Sequence, residues 1–170
     1  MYILSQILVA LSDVLCIVSM LSKRKNKIVF YLIISTILFR KRSEKSKNVL
    51  ELHGSVLRNY CMNWGKFFDE QAILESEGIP RCECGGIIKP DVVLYEEPLN
   101  QRTIFDSIEA IADADLLIVA GTSLTVYPAA GLVDYYRGDR LVLINRDATP
   151  YDDRADLVFH ESLGNIFSEL

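Results

Sequence analysis

The feature that most constrains the fold is an alternation of short strand-like runs with helical patterns between residues 101 and 170. The runs at 116–120 and 141–144 are continuously apolar, which is typical of strands covered on both faces. A third run occupies 155–159. Helices are predicted at 101–115, around 128–136 and at 162–170. This order predicts an α/β fold with a parallel sheet and helices on its faces.

Length, composition and charge narrow the class of protein. The 170 residues suit one domain, or a domain with a small insert, and half of them are apolar, which excludes wholesale disorder. The net charge of −5 divides into +7 for residues 1–47 and −12 for residues 48–170. Because the acidic part lacks a basic stripe, we expect no nucleic-acid partner.

Residues 1–47 differ in composition and charge from the rest of the chain. Two apolar runs, 1–21 and 28–39, are separated by a basic cluster, and Asp13 lies within the first run. Three interpretations remain: a membrane hairpin or anchor, a buried helix and strand, or sequence unrelated to the fold that follows. We favour the third interpretation and expect a boundary at residue 47. We also expect a cytoplasmic protein. Membrane association through residues 1–39 is the alternative.

A histidine after a short predicted strand is a candidate proton acceptor. Residues 49–52 predict the strand, and His53-Gly54 follows it. Imidazole titrates near neutral pH, and glycine leaves a backbone beside it that can be approached closely. The alternative for His53 is a hydrogen-bonded core residue without chemistry.

Polar residues follow two of the predicted parallel strands. They are Gly121, Thr122 and Ser123 after the first, and Asn145, Arg146 and Asp147 after the second. In open parallel sheets, ligands bind outside the carboxyl ends of the strands. Hydroxyl and amide groups suit a ribose diol, but the same residue types are also ordinary in turns and helix caps.

Three cysteines have spacing close to that of a structural zinc site. They occur as Cys61-x-x-Trp64 and Cys82-x-Cys84. Trp64 stands where a fourth thiolate is expected, and indole offers no lone pair to a metal. The alternatives are zinc held by three thiolates with water or with Asp69 or Glu83, and three free cysteines in a degraded site.

Residues 48–170 resemble the C-terminal two-thirds of a sirtuin, an NAD-dependent protein-lysine deacetylase, of the bacterial type. The matching segments occur in the family's order and spacing. They are ELHGS at 51–55, the cysteine pairs, GGIIKPDVVLYEE at 85–97, VAGTSLTVYPAA at 119–130 and LVLINRDATPYDDRADLVF at 141–159. The resemblance implies a partial Rossmann-like parallel sheet. It also implies a small, degenerate zinc-ribbon insert at 58–90, with the Rossmann-like half at 91–170.

The resemblance also implies roles for individual residues. His53 is expected to be the general base, and 121–123 with 145–147 to contact NAD. The metal ligands are expected to be Cys61, Cys82 and Cys84. An acetylated protein or peptide is expected to pair with a strand formed by Val92, Val93, Leu94 and Tyr95, by β-augmentation.

Two family segments have no counterpart in residues 1–47. These are a Gly-Ala-Gly-x-Ser loop that cradles the NAD phosphates and a Thr-Gln-Asn segment before the histidine; residues 1–47 contain no glycine. We therefore expect an N-terminally incomplete sirtuin whose sheet lacks its first strands and whose deacetylation is impaired. The alternative function is a non-catalytic remnant or a membrane-tethered binding module.

Overall fold

The computed structural model of the chain describes residues 16–23, 26–33, 48–94 and 96–168. Within these ranges, nine strands form two sheets. The strands are β1 (Cys16–Lys23), β2 (Asn26–Ile33), β3 (Asn48–Glu51), β4 (Gly54–Cys61), β5 (Phe67–Phe68), β6 (Ile88–Val92), β7 (Leu116–Ala120), β8 (Leu141–Ile144) and β9 (Leu157–Phe159). The α-helices are α1 (Glu70–Leu74), α2 (Gln101–Ala112) and α3 (Leu163–Ser168), and 3-10 helices cover Ala129–Tyr135 and Asp152–Arg154.

The larger sheet has six strands in the order β3-β1-β2-β7-β8-β9. Strand β7 pairs in parallel with β2 and β8, and β8 pairs in parallel with β9, as the predicted α/β alternation requires. Strand β1 is antiparallel to both β2 and β3, so the sheet is mixed rather than wholly parallel. Because only residues 24 and 25 separate β1 from β2, these two strands can pair only as a hairpin.

The strand directions bring several strand ends to one edge of this sheet. Two antiparallel pairings separate β3 from β2, so β3 runs in the same direction as β2, β7 and β8. The register places Glu51, Ile17, Leu32, Ala120 and Ile144 in one row across the sheet. The segments that follow β3, β7 and β8 therefore leave the sheet at the same edge and at the same height.

Helix α2 packs on one face of this sheet, and side chains from both contribute to the main hydrophobic core. Asn100 accepts a hydrogen bond from the Thr103 amide at 3.1 Å and caps the helix. Ala110 and Ile111 are buried against the sheet. They join a core built from these side chains: Leu52, Ala114, Leu117, Val119, Leu124, Ala129, Ala130, Leu132, Val133, Leu141, Leu143 and Tyr151.

Most predicted elements of this region are confirmed. Strands β7 and β8 have the predicted bounds, whereas β9 begins two residues late. The delay arises because the Asp156 carboxylate accepts a hydrogen bond from the Leu141 amide at 2.7 Å, and the Asp156 amide donates to the Leu141 carbonyl at 2.9 Å. Residue 156 thus closes the loop before the ladder begins. The helix expected around 128–136 is a 3-10 helix, Ala129–Tyr135.

The second sheet is small, with the order β5-β4-β6. Its register breaks between Ser55 and Asn59, where β4 bulges opposite Asp91 and Pro90. Proline has no amide hydrogen for the ladder, so a bulge beside Pro90 is expected. The bulge is held by Asn59, whose side-chain nitrogen donates to the Val56 carbonyl at 3.3 Å. The polar segment 66–78 forms β5 and α1.

The expected strand at 91–95 is wrong in position. Strand β6 ends at Val92. The chain then turns, because the Leu94 amide donates to the Glu97 carboxylate at 2.9 Å and the Glu97 amide donates to the Leu94 carbonyl at 3.0 Å. The Glu97 carboxylate accepts the Leu94 amide and so ends the ladder, which a pattern of apolar residues does not reveal.

The N-terminal region differs from the expectation that the sheet lacks its first strands. Strands β1 and β2 lie between β3 and β7 in the six-stranded sheet. The division at residue 47 remains a prediction, and the sheet includes strands on both sides of it. Most of the residues assigned to a membrane anchor, 1–15 and 34–39, lie outside the described residues. In the described part of the chain, no helix has the length and apolar character to cross a bilayer.

Candidate functional site

His53 lies in the turn between β3 and β4, next to the fully buried Leu52. Only 9% of the histidine surface is exposed. Burial lowers the pKa of its imidazole below the ordinary value of 6.5. The ring is therefore neutral at pH 7, which is the form that can accept a proton.

The His53 turn is bound tightly to the end of β6. The Val93 amide donates to the His53 carbonyl at 3.0 Å. Gly54 has a φ of +77°, and a Cβ at this position would lie 1.9 Å from the Asp91 carbonyl oxygen. Only glycine permits both this backbone conformation and this approach.

The segment after β7 forms a compact polar turn. The Gly121 amide donates to the Ile144 carbonyl at 2.8 Å, which joins the ends of β7 and β8. The buried Thr122 hydroxyl accepts a hydrogen bond from the Leu124 amide at 3.1 Å. Ser123 is exposed, and its hydroxyl lies 2.7 Å from the Thr125 hydroxyl. This hydroxyl pair is the accessible polar feature of the turn.

The segment after β8 lies beside that turn. The Asn145 side-chain amide donates to the Asp147 carbonyl at 2.8 Å, and Arg146 and Asp147 are exposed. Neighbouring strands in a sheet lie about 4.8 Å apart, so the tips of β7 and β8 are close. The end of β3 is three strands from β7, which is about 14 Å across the sheet. The turn that bears His53 and the two polar segments therefore lie along one edge of the sheet.

The residues expected to pair with a peptide are only partly as predicted. Val92 is buried in β6 and already pairs with Gly54, and the amides of Val93 and Leu94 donate within the chain. Tyr95 lies outside the described residues. Among the described strands, β6 is at the edge of its sheet, so its far side is open to a further strand.

The three cysteines are brought together as predicted. The sulfur atoms of Cys61, Cys82 and Cys84 all lie within 4.8 Å of one another, and those of Cys61 and Cys84 are 3.4 Å apart. Cys61 ends β4, whereas the other two belong to the turn before β6. We call β4, β5, β6 and α1 the small module. Cys61 and Cys82 are almost wholly buried, so together with Ile88 the cluster forms the centre of this module's core.

Backbone amides point at the sulfur atoms. Burial alone would raise the pKa of the Cys61 thiol, but hydrogen bonds from the Trp64 and Asn63 amides and from the neighbouring thiols lower it below its ordinary value. For Cys84, burial and the neighbouring sulfurs raise the pKa, although the Gly86 amide donates to its sulfur at 3.4 Å. Amide donors of this kind favour thiolates, the form that binds metal. The cluster therefore fits a soft cation such as Zn²⁺.

Neither carboxylate considered as an additional metal ligand belongs to the cluster. The Glu83 carboxylate pairs with the Lys66 ammonium at 2.7 Å, and the Asp69 carboxylate caps α1 by accepting from the Ala72 amide at 3.2 Å. Trp64 is 65% exposed. Among the described residues, the group that could hold a metal consists of the three cysteines alone.

Arg58 joins the His53 turn to β6 and was not predicted. Its guanidinium donates to the Glu51 carboxylate at 2.7 Å and to the Asp91 carboxylate at 2.9 Å, and both acids raise its pKa against the effect of burial. These three residues also line a cavity of about 480 Å³ together with Gly54 and Val93. The bulge in β4 turns the arginine toward both acids, and no pattern in the sequence reveals it.

His160 is a second residue that the sequence did not single out. Its Nδ1 lies 3.3 Å from the Asn145 carbonyl and its Nε2 lies 3.3 Å from the Asp152 carboxylate. The histidine follows β9, so it too lies at the carboxyl edge of the sheet. Its position directly after the run at 155–159 was the available signal.

The chain matches a family model and curated relatives over most of its length. The model of the Sir2 family matches residues 17–128. An NAD-dependent protein deacetylase of Clostridium perfringens is 60% identical over 127 residues, covering 74% of this chain and 52% of the relative. One of Clostridium acetobutylicum is 59% identical over 123 residues, with 71% and 50% covered. The chain thus spans about half the length of these curated relatives.

Solved structures with the same fold belong to the same family. A Sir2 protein with a p53 peptide and NAD⁺ superimposes with a TM-score of 0.63 at 36% identity, covering 71% of this chain and 52% of that one. Sir2Tm bound to a propionylated peptide gives 0.67 at 37% identity, with 74% and 55% covered. Sequence motifs, fold and family model agree, and the chain belongs to the Sir2 family.

Proposed function

We propose that the chain is an NAD-dependent protein-lysine deacetylase whose activity is impaired. The observation that carries this proposal is the shared edge of the larger sheet, where the turn bearing His53 and the polar segments after β7 and β8 leave at one height. NAD, when bound, would supply the electrophilic sugar carbon that the acetyl oxygen attacks and the nicotinamide that leaves. The chain's own residues bind, orient and move a proton.

In this proposal His53 is the proton acceptor. Its burial keeps the imidazole neutral at pH 7, and a neutral imidazole can take a proton from a sugar hydroxyl. Thr122, Ser123 and Asn145 offer hydroxyl and amide groups to the sugars, and Arg146 and Asp147 lie exposed beside them. Gly121 allows a ligand to approach the backbone, because its φ is +68° and it carries no side chain.

The substrate in this proposal is an acetylated lysine in a protein or peptide segment. Among the described strands, β6 is a sheet edge next to the His53 turn, and a segment in extended conformation can add to such an edge. The Sir2 structures similar to this chain include acetylated and propionylated peptide complexes, which supports this substrate class. A cytoplasmic location is part of the same proposal.

Impairment is proposed because residues 1–47 contain no glycine for a phosphate-binding loop. Backbone amides at such a loop neutralise a diphosphate, and this 170-residue chain offers no such motif in that segment. We expect a KM for NAD above about 1 mM, the upper end of the usual range.

The test is nicotinamide release from NAD in the presence of an acetylated peptide. We expect slow release by the wild-type chain and a further loss of about 10²-fold or more in His53→Ala. Arg102→Ala, an exposed change on α2, serves as the matched control and should retain wild-type turnover. Equal turnover in His53→Ala and wild type would refute the role of His53, and micromolar NAD affinity would refute the impairment.

The three-cysteine cluster is proposed to hold Zn²⁺ as a structural ion. The clustered sulfur atoms and the amides that point at them support this assignment. The ion would join the end of β4 to the turn before β6. Elemental analysis of the purified chain should give about one zinc per chain, and Cys84→Ser should lose it. A wild-type chain without zinc would refute the assignment.

A further inference from the structure

The cysteine cluster supplies fewer ligands than a closed zinc site needs. Structural zinc ions are almost always four-coordinate, with all four positions taken by protein side chains. In the ranges 48–94 and 96–168, the cluster contains three sulfur atoms and no imidazole or carboxylate. One coordination position therefore has no ligand from these residues.

The residue at the expected fourth position cannot fill it. Trp64 follows Cys61 by three residues, which is the spacing of a thiolate pair in zinc sites. Its indole N–H is a donor only, and 65% of the residue is exposed. The backbone amide of Trp64 nevertheless donates to the Cys61 sulfur, as the amide of a ligand at that position would. The turn from Cys61 to Trp64 thus has the backbone hydrogen bond of a zinc-binding turn, but its fourth residue supplies no side-chain ligand.

The remaining sulfur atoms are fixed without a fourth ligand. A Cβ at Gly86 would lie 2.9 Å from the Cys61 sulfur and 2.9 Å from Asn63 Cγ, so the two turns pack directly on each other. The Cys82 amide donates to the Gly86 carbonyl at 2.9 Å, and the Gly85 amide donates to the Cys82 carbonyl at 2.8 Å. Because the backbone sets these positions, three thiolates stay preorganised when the fourth ligand is missing.

We propose that the metal at Cys61, Cys82 and Cys84 keeps one coordination position open to a small exogenous donor of the neutral imidazole class, which replaces water there. This inference rests on the proposed zinc binding. The position left by Trp64 faces solvent, since Trp64 is 65% exposed and Cys84 is half-buried. A small nitrogen donor, a ligand type that Zn²⁺ accepts, can therefore reach it.

The test uses the full chain loaded with Co²⁺ and titrated with imidazole. We expect the visible absorption bands of Co²⁺ in the wild-type chain to change with saturation as imidazole is added. Trp64→Phe removes the indole without adding a ligand and should respond as the wild type does. Trp64→Cys supplies the fourth thiolate, so its spectrum should show stronger sulfur-to-metal charge transfer and no response to imidazole.

Zinc release to a coloured chelator gives an independent measurement. We expect the wild-type chain and Trp64→Phe to release zinc faster than Trp64→Cys, because a ligand of the chelator can enter at the open position. If the cysteine variant does not fold, the wild-type and Trp64→Phe chains still decide the matter, since both must respond to imidazole.

The outcomes separate the two proposals. A chain that binds neither Co²⁺ nor Zn²⁺ refutes metal binding itself. A chain that binds Co²⁺ with the charge-transfer intensity of four thiolates, or without any response to imidazole, retains the metal site and refutes the open position. Cys16→Ser identifies whether the remaining cysteine of the chain is that fourth thiolate.

Discussion

The imidazole of His53 is buried in a turn, and that burial affects both its protonation and the stability of the folded chain. Only 9% of the residue is exposed, and desolvation lowers its pKa below 6.5. A neutral base at physiological pH is what proton abstraction requires. The same burial means that the unfolded chain binds a proton at this position more readily than the folded chain does.

The first prediction concerns pH. The unfolded imidazole titrates at about 6.5 and the folded one lower, so the stability that His53 contributes is complete above pH 6.5. It is lost as the pH falls from 6.5 through the folded pKa. Urea denaturation between about pH 7.5 and 5 should show this decline, and His53→Gln should show a shallower one. An identical pH dependence in both chains would contradict the lowered pKa.

The same shift predicts the acid limb of catalysis. If His53 is the proton acceptor that we propose, the neutral imidazole is the active form, and kcat/KM for an acetylated peptide should decrease only below a pKa that is itself lower than 6.5. The measurement is a pH profile of nicotinamide release. An acid limb centred above about pH 7 would exclude His53 in its folded setting as the titrating group.

The second prediction concerns Gly54. Gly54→Ala forces a side chain into a positive φ and against the Asp91 carbonyl, and we expect a loss of about 3 kcal/mol in the free energy of unfolding. Gly78→Ala is the matched control, because Gly78 has a φ of +84° but a Cβ there would have no atom within 4 Å. It should lose only about 1 kcal/mol. Equal losses would show that the contact with Asp91 does not matter.

Site residues were predictable where their chemistry is local. The triplets at 121–123 and 145–147 follow strands, and their place at one sheet edge follows from parallel pairing. The contacts of Arg58 and His160 were not predictable in this way, although His160 also follows a strand. The partners of Arg58 lie 7 and 33 residues away in sequence, and those of His160 lie 8 and 15 residues away. Only the folded chain brings these groups together.

Among the elements, α2 shows most clearly that the spacing of apolar residues in the sequence predicts which face is buried. Its buried face includes Ile111, which has no exposed surface, while Phe105 on the same helix is 66% exposed. The helix was predicted because apolar residues recur at helical spacing, and its predicted end lies within three residues of the observed one.

The third prediction compares these two positions. Ile111→Ala should reduce the free energy of unfolding by about 2–5 kcal/mol, because it leaves a cavity under the sheet. Phe105→Ala should change it by no more than about 0.5 kcal/mol. Thermal or urea denaturation of both variants gives the answer. A large effect at Phe105 would mean that another surface covers this face of α2.

Strand prediction gave the right bounds where burial is two-sided and was less accurate where pairing is antiparallel, although β3 lies within one residue of its predicted bounds. Strands β7 and β8 are continuous apolar runs, so their bounds are visible in the sequence. Strand β1 contains Ser19 and ends at Lys23, and its identity depends on pairing with β2 and β3. Strand β6 starts three residues before its predicted start because its partners, not its own apolar pattern, determine its register.

At the scale of the whole molecule, two cores of very different size support the fold. The larger sheet and α2 share an extended apolar core, whereas the apolar cluster of the small module consists of buried Cys61, Cys82 and Ile88, with Phe68, Ile73 and Cys84 packed against them. A core of that size cannot stabilise three short strands alone. A metal ion is a common substitute for a core in such modules.

The fourth prediction follows from this difference. Removal of metal by a chelator should increase amide hydrogen exchange in β4, β5 and β6 and leave β7 and β8 protected. Exchange measured by mass spectrometry on the full chain, before and after chelation, provides the comparison. A uniform increase across both sheets would contradict the view that the metal supports only the small module.

Strand β4 connects the cysteine cluster directly to His53, the proposed proton acceptor. It begins at Gly54, immediately after His53, and ends at Cys61, so one continuous segment of roughly 20–25 Å joins the two. The His53 carbonyl is also tied to the residue that follows β6, and the first residue of β6 packs beside the sulfur atoms. If the end of β4 at Cys61 became less ordered, the orientation of the His53 imidazole would change. An ion that does not contact substrate would therefore still affect how often this base is correctly oriented.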